Sequence, residues 1–126
     1  MGVTTLRRIL LTGGTGFLGS HLLTALRANN YEVLATTRGN IPSSPNRIVE
    51  KGTQWLSSKD AARIIEKYKP FAIIHLATDY GTLSPLHETL ISNEAWPLQL
   101  LEAGIRAGTQ IFLNTDTFFA KSNFTY

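Results

Sequence analysis

Four glycines, Gly13, Gly14, Gly16 and Gly19, fall within seven residues directly behind the apolar run Ile9-Leu10-Leu11. An unbroken apolar run of this kind suits a strand covered on both faces of a parallel sheet. Beyond the glycines, Leu18, Leu22, Leu23 and Leu26 recur at helical spacing, so the local order is strand, glycine turn, helix. Such a turn needs residues that accept φ > 0 and allow backbone to approach a ligand, and glycine does both without steric cost. The free N–H groups of the helix's first turn, with the positive end of its dipole, then make a seat for a pyrophosphate. Gly14, Gly16 and Gly19 satisfy G-x-G-x-x-G in the context that gives this short pattern its specificity.

The remainder of the chain narrows the class. At 126 residues it is expected to form one domain with a real core. No apolar run is long enough to span a bilayer, and the amino terminus lacks a signal-peptide pattern. A soluble, cytoplasmic protein without a membrane partner is the expectation. Cysteine is absent, which removes thiol catalysis and cysteine zinc sites, and the three histidines, His21, His75 and His87, are too scattered for a metal centre. The formal charge of +3 is carried by singly spaced basic residues. Solvated faces and an anionic ligand account for it better than a nucleic-acid partner does.

In chain order, a helix is expected from about Gly16 to Arg27, stopped by Asn29-Asn30. A second strand, Tyr31 to Thr37, ends at Arg38-Gly39-Asn40. In a dinucleotide-binding sheet this strand end, about twenty residues past the glycines, holds the adenosine ribose. An acid there would hydrogen-bond the 2′-hydroxyl. Here Arg38 stands beside the hydroxyls of Thr36 and Thr37, and its guanidinium fork fits a 2′-phosphate. NADP is therefore the expected cofactor, with NAD the second choice and a solvent-exposed arginine the plain alternative. Ile41 to Asn46 reads as a surface loop and Arg47 to Glu50 as a short third strand. Ser57 with Asp60 resembles a capping pair opening a helix that runs through Ala61, Ile64 and Ile65 to Tyr68, with Pro70 as its stop. Phe71 to Ala77 reads as a buried strand. His87 to Ala107 reads as a helix that Pro97 should bend or divide near Glu94 or Trp96. Gln110 to Asn114 reads as a fifth strand.

Thr12-Gly13-Gly14-Thr15-Gly16-Phe17-Leu18-Gly19-Ser20-His21-Leu22 resembles the opening of the extended short-chain dehydrogenases/reductases, the NAD-dependent epimerase/dehydratase group that remodels nucleotide sugars. Its T-G-x-x-G-x-x-G spacing maps onto Thr12, Gly13, Gly16 and Gly19. The resemblance implies a doubly wound α/β Rossmann sheet of order 3-2-1-4-5. It also implies cofactor contacts from Gly13, Gly16, Phe17, Leu18 and Gly19 around the glycine turn, alongside Thr36 and Arg38. His75-Leu76-Ala77-Thr78 is similar to the family's H-L-A-A segment, so Leu76, Ala77 and Thr78 are expected to line the nicotinamide-side ribose. His75 itself reads as a satisfied strand-end histidine with no proton to transfer. Asn93 followed by Leu100-Leu101-Glu102-Ala103 resembles the helix whose asparagine supports the active site and which packs on its copy in a homodimer. The family's Gly-Asp pair after the third strand is missing, because Gly52 is followed by Thr53.

At the end of the fifth strand, aligning Phe119 with the family's aromatic position makes Thr115 the hydroxyl that bonds the substrate oxygen undergoing hydride transfer. Asp116 falls where dehydratases carry an acid, but Thr117 replaces their usual Glu, which argues against 4,6-dehydration and leaves reduction or epimerisation. Asn114 to Phe119 resembles the CDP-hexose branch, including CDP-abequose synthases, which reduce a 4-keto sugar with NADPH. The family's acid-base pair is Tyr-x-x-x-Lys, in which lysine lowers the phenol's pKa. Tyr126 has no lysine four places on and reads as a terminal residue. The expectation is an amino-terminal portion, residues 1–126, of an enzyme acting on a nucleotide-linked sugar, with the substrate-binding half absent. A dinucleotide-binding module without catalysis is the alternative. The fifth strand would then be an open apolar edge, and self-association through it or through the Asn93-to-Ala107 helix is expected.

Overall fold

The computed structural model describes residues 7–38, 53–79 and 83–115. Its five strands are β1 (Arg8–Thr12), β2 (Glu32–Thr37), β3 (Thr53–Ser57), β4 (Ala72–His75) and β5 (Ile111–Asn114). All pair in parallel in the order β3-β2-β1-β4-β5, the doubly wound order expected from the sequence. The helices are α1 (Phe17–Ala28), α2 (Ala61–Tyr68), α3 (Leu86–Leu90) and α4 (Trp96–Ala107).

Alternation along the central strands divides the core into two layers. Ile9 and Leu11 of β1, Val33 and Ala35 of β2, and Ala72 and Ile74 of β4 pack beneath Leu22, Leu23 and Leu26 of α1. Leu10, Leu34 and Ile73 point the other way, against Ile64 and Ile65 of α2 and Leu100 and Ala103 of α4. Strands covered on both faces read as continuous apolar runs, which is why β1 and β4 are legible in the sequence.

One strand lies elsewhere than expected. The partner of β2 is Thr53–Ser57, whereas Arg47 to Glu50 and the loop before it lie outside the described residues. Packing explains the choice, since Trp55 turns to the α1 layer and Leu56 to the α2 layer. The pair just after this strand is therefore Ser58-Lys59, not Gly52-Thr53. Ser57 caps a 3₁₀ turn, Ser58–Asp60, its side chain accepting from the Lys59 N–H at 3.4 Å, and α2 follows. Lys69 closes α2 in the left-handed region, at φ 47°.

The helix expected over His87 to Ala107 is divided, as Pro97 requires. A π turn, Ile91–Ala95, separates α3 from α4, and Pro97 sits in the first turn of α4, where its missing N–H breaks no bond. Gly108 ends α4 in the left-handed region at φ 80°.

Candidate functional site

The carboxyl ends of the strands align as one row, Leu56, Thr36, Thr12, His75 and Asn114. The order reverses on either side of β1, and in open α/β sheets ligands bind in the crevice at such a point. The glycine turn leaves β1 there. Gly13 takes φ 73°, and a Cβ on it would stand 2.8 Å from the Ala77 nitrogen. The turn is thus pressed against the segment after β4. Gly19 is packed on the turn in the same way, since its Cβ would lie 2.0 Å from the Gly13 carbonyl oxygen.

Gly16 differs from both. Its φ of −75° is open to any residue, and among the described residues a Cβ there would meet only the Gly13 oxygen, at 3.4 Å. Packing among the described residues gives no reason for glycine at this position, whereas a ligand laid against the backbone does. Gly16 is the amino-terminal cap of α1, with no side-chain cap and no acidic residue in the first turn. The first-turn N–H groups of Phe17, Leu18 and Gly19 and the helix dipole therefore present an anion seat. The residues present fit a dinucleotide pyrophosphate.

At the end of β2, Thr36 is buried, and among the described residues its hydroxyl has no hydrogen-bond partner. Arg38 follows, exposed. It lines one small groove with Ala77, Thr78, Asp79, Ser92 and Trp96, so the strand ends on both sides of β1 meet there. Asn93, carried by the π turn, is tied to the same segment. Its Oδ1 accepts from the Asp79 N–H at 2.8 Å and its Nδ2 donates to the Asp79 carbonyl at 2.7 Å.

Thr12 and His75 form a buried polar centre that sequence reasoning missed. The Thr12 hydroxyl accepts from the N–H groups of Leu76 at 3.1 Å and Ala77 at 3.2 Å. Its own proton is left for His75 Nδ1, 2.6 Å away. The imidazole proton then sits on Nε2. His75 is 2% exposed, and the edge of Trp96 packs on it at 5.1 Å between centroids. Burial pushes its pKa down to about 4. It is a neutral histidine at physiological pH. The signal available in the sequence was a hydroxyl residue and a histidine ending the two most apolar strands.

Thr115 is exposed just past β5. Its N–H and hydroxyl both reach the His75 carbonyl, at 3.3 and 3.4 Å. The structure thus brings together Gly13, Gly16, Phe17, Leu18, Gly19, Thr36, Arg38, Leu76, Ala77, Thr78, Asn93 and Thr115 at one end of the sheet. Asp116, Thr117, Phe118, Phe119, Phe124 and Tyr126 lie outside the described residues. No group of three or more potential metal ligands occurs among the described residues, and no helix there is long and apolar enough to cross a membrane.

A parallel sheet of this order, with a glycine turn at the crevice, defines a Rossmann-type nucleotide-binding domain. The sequence profile of the NAD dependent epimerase/dehydratase family matches residues 9–125, and the chain belongs to that family. It is 37% identical over 123 residues to the CDP-abequose synthase of Salmonella typhimurium, covering 94% of this chain and 40% of that protein. Among solved structures it is similar to the UDP-glucose 4-epimerase of Thermotoga maritima with UDP-glucose, at TM-score 0.69 and 26% identity, covering 83% of this chain and 36% of the other. The Bordetella bronchiseptica enzyme WbmH in complex with NAD+ shares the fold, at TM-score 0.72 and 15% identity over 86% of this chain and 38% of that one. The chain spans about two-fifths of the length of the curated relatives it matches.

Proposed function

We propose that this chain is the cofactor-binding portion of an NADP(H)-dependent oxidoreductase or epimerase acting on a nucleotide-linked sugar, a 4-keto-sugar reductase in the first place. The observation that carries the dinucleotide is Gly16, a glycine that nothing among the described residues calls for, at the bare amino end of α1. Arg38, exposed at the end of β2 beside the unpartnered Thr36 hydroxyl, favours a 2′-phosphate and hence NADP over NAD. Similarity to a CDP-abequose synthase supports the reductase and the nucleotide-linked sugar.

In this reading the dinucleotide supplies the hydride. The chain's residues do the rest. Gly13, Gly16, Phe17, Leu18 and Gly19 hold the pyrophosphate through backbone N–H groups, and Leu76, Ala77 and Thr78 line the nicotinamide-side ribose. Asn93 keeps that segment in place. Thr115 turns its hydroxyl from the His75 carbonyl, a long contact at 3.4 Å, to the substrate oxygen that changes oxidation state. The setting is the cytoplasm, and neither membrane nor nucleic acid is a partner. A homodimer forms through α4, supported by the exposure of Leu98 (61%) and Ile105 (70%), which stand seven residues apart on it.

Calorimetric titration of NADPH and NADH into wild-type protein and Arg38→Ala tests the cofactor assignment. Loss of one charge-assisted contact is expected to weaken NADPH about tenfold and NADH less than twofold. Equal affinity of the wild type for both cofactors would remove Arg38 from the site.

A further inference from the structure

We propose that His75 is a positioning residue that sets the height of the Leu76-Ala77 backbone against the glycine turn and, through its carbonyl, the place of Thr115. The inference rests on the dinucleotide-binding reading above and adds the device that aligns the two halves of that site.

The connections run through one residue. The His75 ring receives the Thr12 proton at 2.6 Å, which orients the Thr12 oxygen so that both its lone pairs face the N–H groups of Leu76 and Ala77. Thr12 is also the residue from which the glycine turn departs. A change in its side chain therefore frees the nicotinamide-side segment from the residue that starts the glycine turn, while the backbone of the turn itself is left in place. The His75 carbonyl receives both donors of Thr115, so β5's end is hung on the same point. The edge-on Trp96 ring holds the imidazole from the α4 side. Hydrogen bonds joined through one buried hydroxyl in this way reinforce one another and give the junction directional stiffness.

A core histidine with only a packing role would make a different prediction from a positioning one. ADP occupies the adenosine and pyrophosphate half alone, whereas NADPH spans both halves. With NADPH and ADP titrated by calorimetry, Thr12→Val and His75→Leu are expected to weaken NADPH about tenfold and ADP less than twofold. In His75→Asn the Oδ1 falls near the place of Nδ1 and accepts the same proton, so NADPH affinity should recover to within about threefold of wild type. Loss of NADPH and ADP affinity by the same factor would overturn the proposal while leaving the dinucleotide reading intact. A wild-type chain that binds neither would remove both.

Hydrogen exchange gives a readout that needs no ligand. The Leu76 N–H also donates to the Thr12 carbonyl at 3.3 Å, so it is the amides of Ala77 and Thr115 that are expected to exchange at least tenfold faster in Thr12→Val than in Thr12→Ser, with the α2 amides unchanged. Equal rates in the two variants would overturn the proposal. Should Thr12→Val not fold, the comparison moves to His75→Asn against His75→Gln, whose carbonyl lies one bond too far. The Asn variant is expected to bind NADPH at least fivefold more tightly, and equal binding would count against the proposal.

Discussion

The Asn93 side chain grips both backbone groups of Asp79, accepting from its N–H at 2.8 Å and donating to its carbonyl at 2.7 Å. Fourteen positions separate the two residues, and the π turn is what aims Asn93 at the loop after β4. π turns often mark functional positions because they re-aim side chains that a regular helix would send elsewhere.

Removing this grip leaves two part-buried backbone groups to find other partners. Asn93→Leu is expected to cost about 1–3 kcal/mol, the range for unsatisfied buried polar groups. Thermal melting should fall by several degrees, and an unchanged melting temperature would show that water replaces the amide without loss.

Gly19 has no space for a side chain, because a Cβ would stand 2.0 Å from backbone rather than from a movable side-chain end. Gly19→Ala must displace the glycine turn. In urea denaturation it is expected to be more damaging than Gly104→Ala, whose Cβ would meet the Ile73 Cδ1 at 2.9 Å, a group that can shift. The reverse order would contradict the packing of α1 on the turn.

Stability should depend on pH through His75. Its pKa is lowered from the ordinary 6.5 to about 4 by burial, so the unfolded chain binds a proton more readily than the folded one. The neutral form's contribution is fully present above pH 6.5 and is lost as pH falls from 6.5 towards 4. At about 1.36 kcal/mol for each pH unit, the whole effect is on the order of 3 kcal/mol. Urea midpoints should rise across that window and level off above it, and His75→Asn should remove the part of the slope that His75 supplies. A slope that survives the substitution unchanged would assign it to other groups.

Much of this architecture is legible in the residues because the physics is local. The runs at β1 and β4 announce doubly covered strands, the glycines announce a tight turn, and Pro97 announces a break in a long helix. The strand beside β2, Thr53–Ser57, is not legible in the sequence, because what selects it is the packing of Trp55 and Leu56 on opposite faces of the sheet. The pairing of Thr12 with His75 spans 63 positions and depends on the register between β1 and β4. Neither residue's neighbours in sequence encode that register. Asn93 was marked by resemblance, but its hold on Asp79 follows from the π turn, which sequence periodicity smooths over.

The exposed stripe on α4 carries the dimer expectation. A charge at its centre, Leu98→Glu, should convert a dimer into a monomer in sedimentation velocity, with little change in the fold, because the position is exposed within the chain. A wild-type chain that stays monomeric at every concentration would contradict the expected interface.

The most direct measurement is calorimetric titration of NADPH into wild-type protein and Gly16→Ala, with thermal melting of both. At Gly16 the backbone tolerates a methyl group, so melting should change by no more than the amount typical of surface substitutions, about 0.5 kcal/mol. The same methyl group would stand where the pyrophosphate lies, so NADPH binding by the wild type and at least tenfold weaker binding by the variant is the expected pair of results. Equal binding by the two proteins, or no binding by the wild type, would contradict the assignment of this turn as the dinucleotide seat.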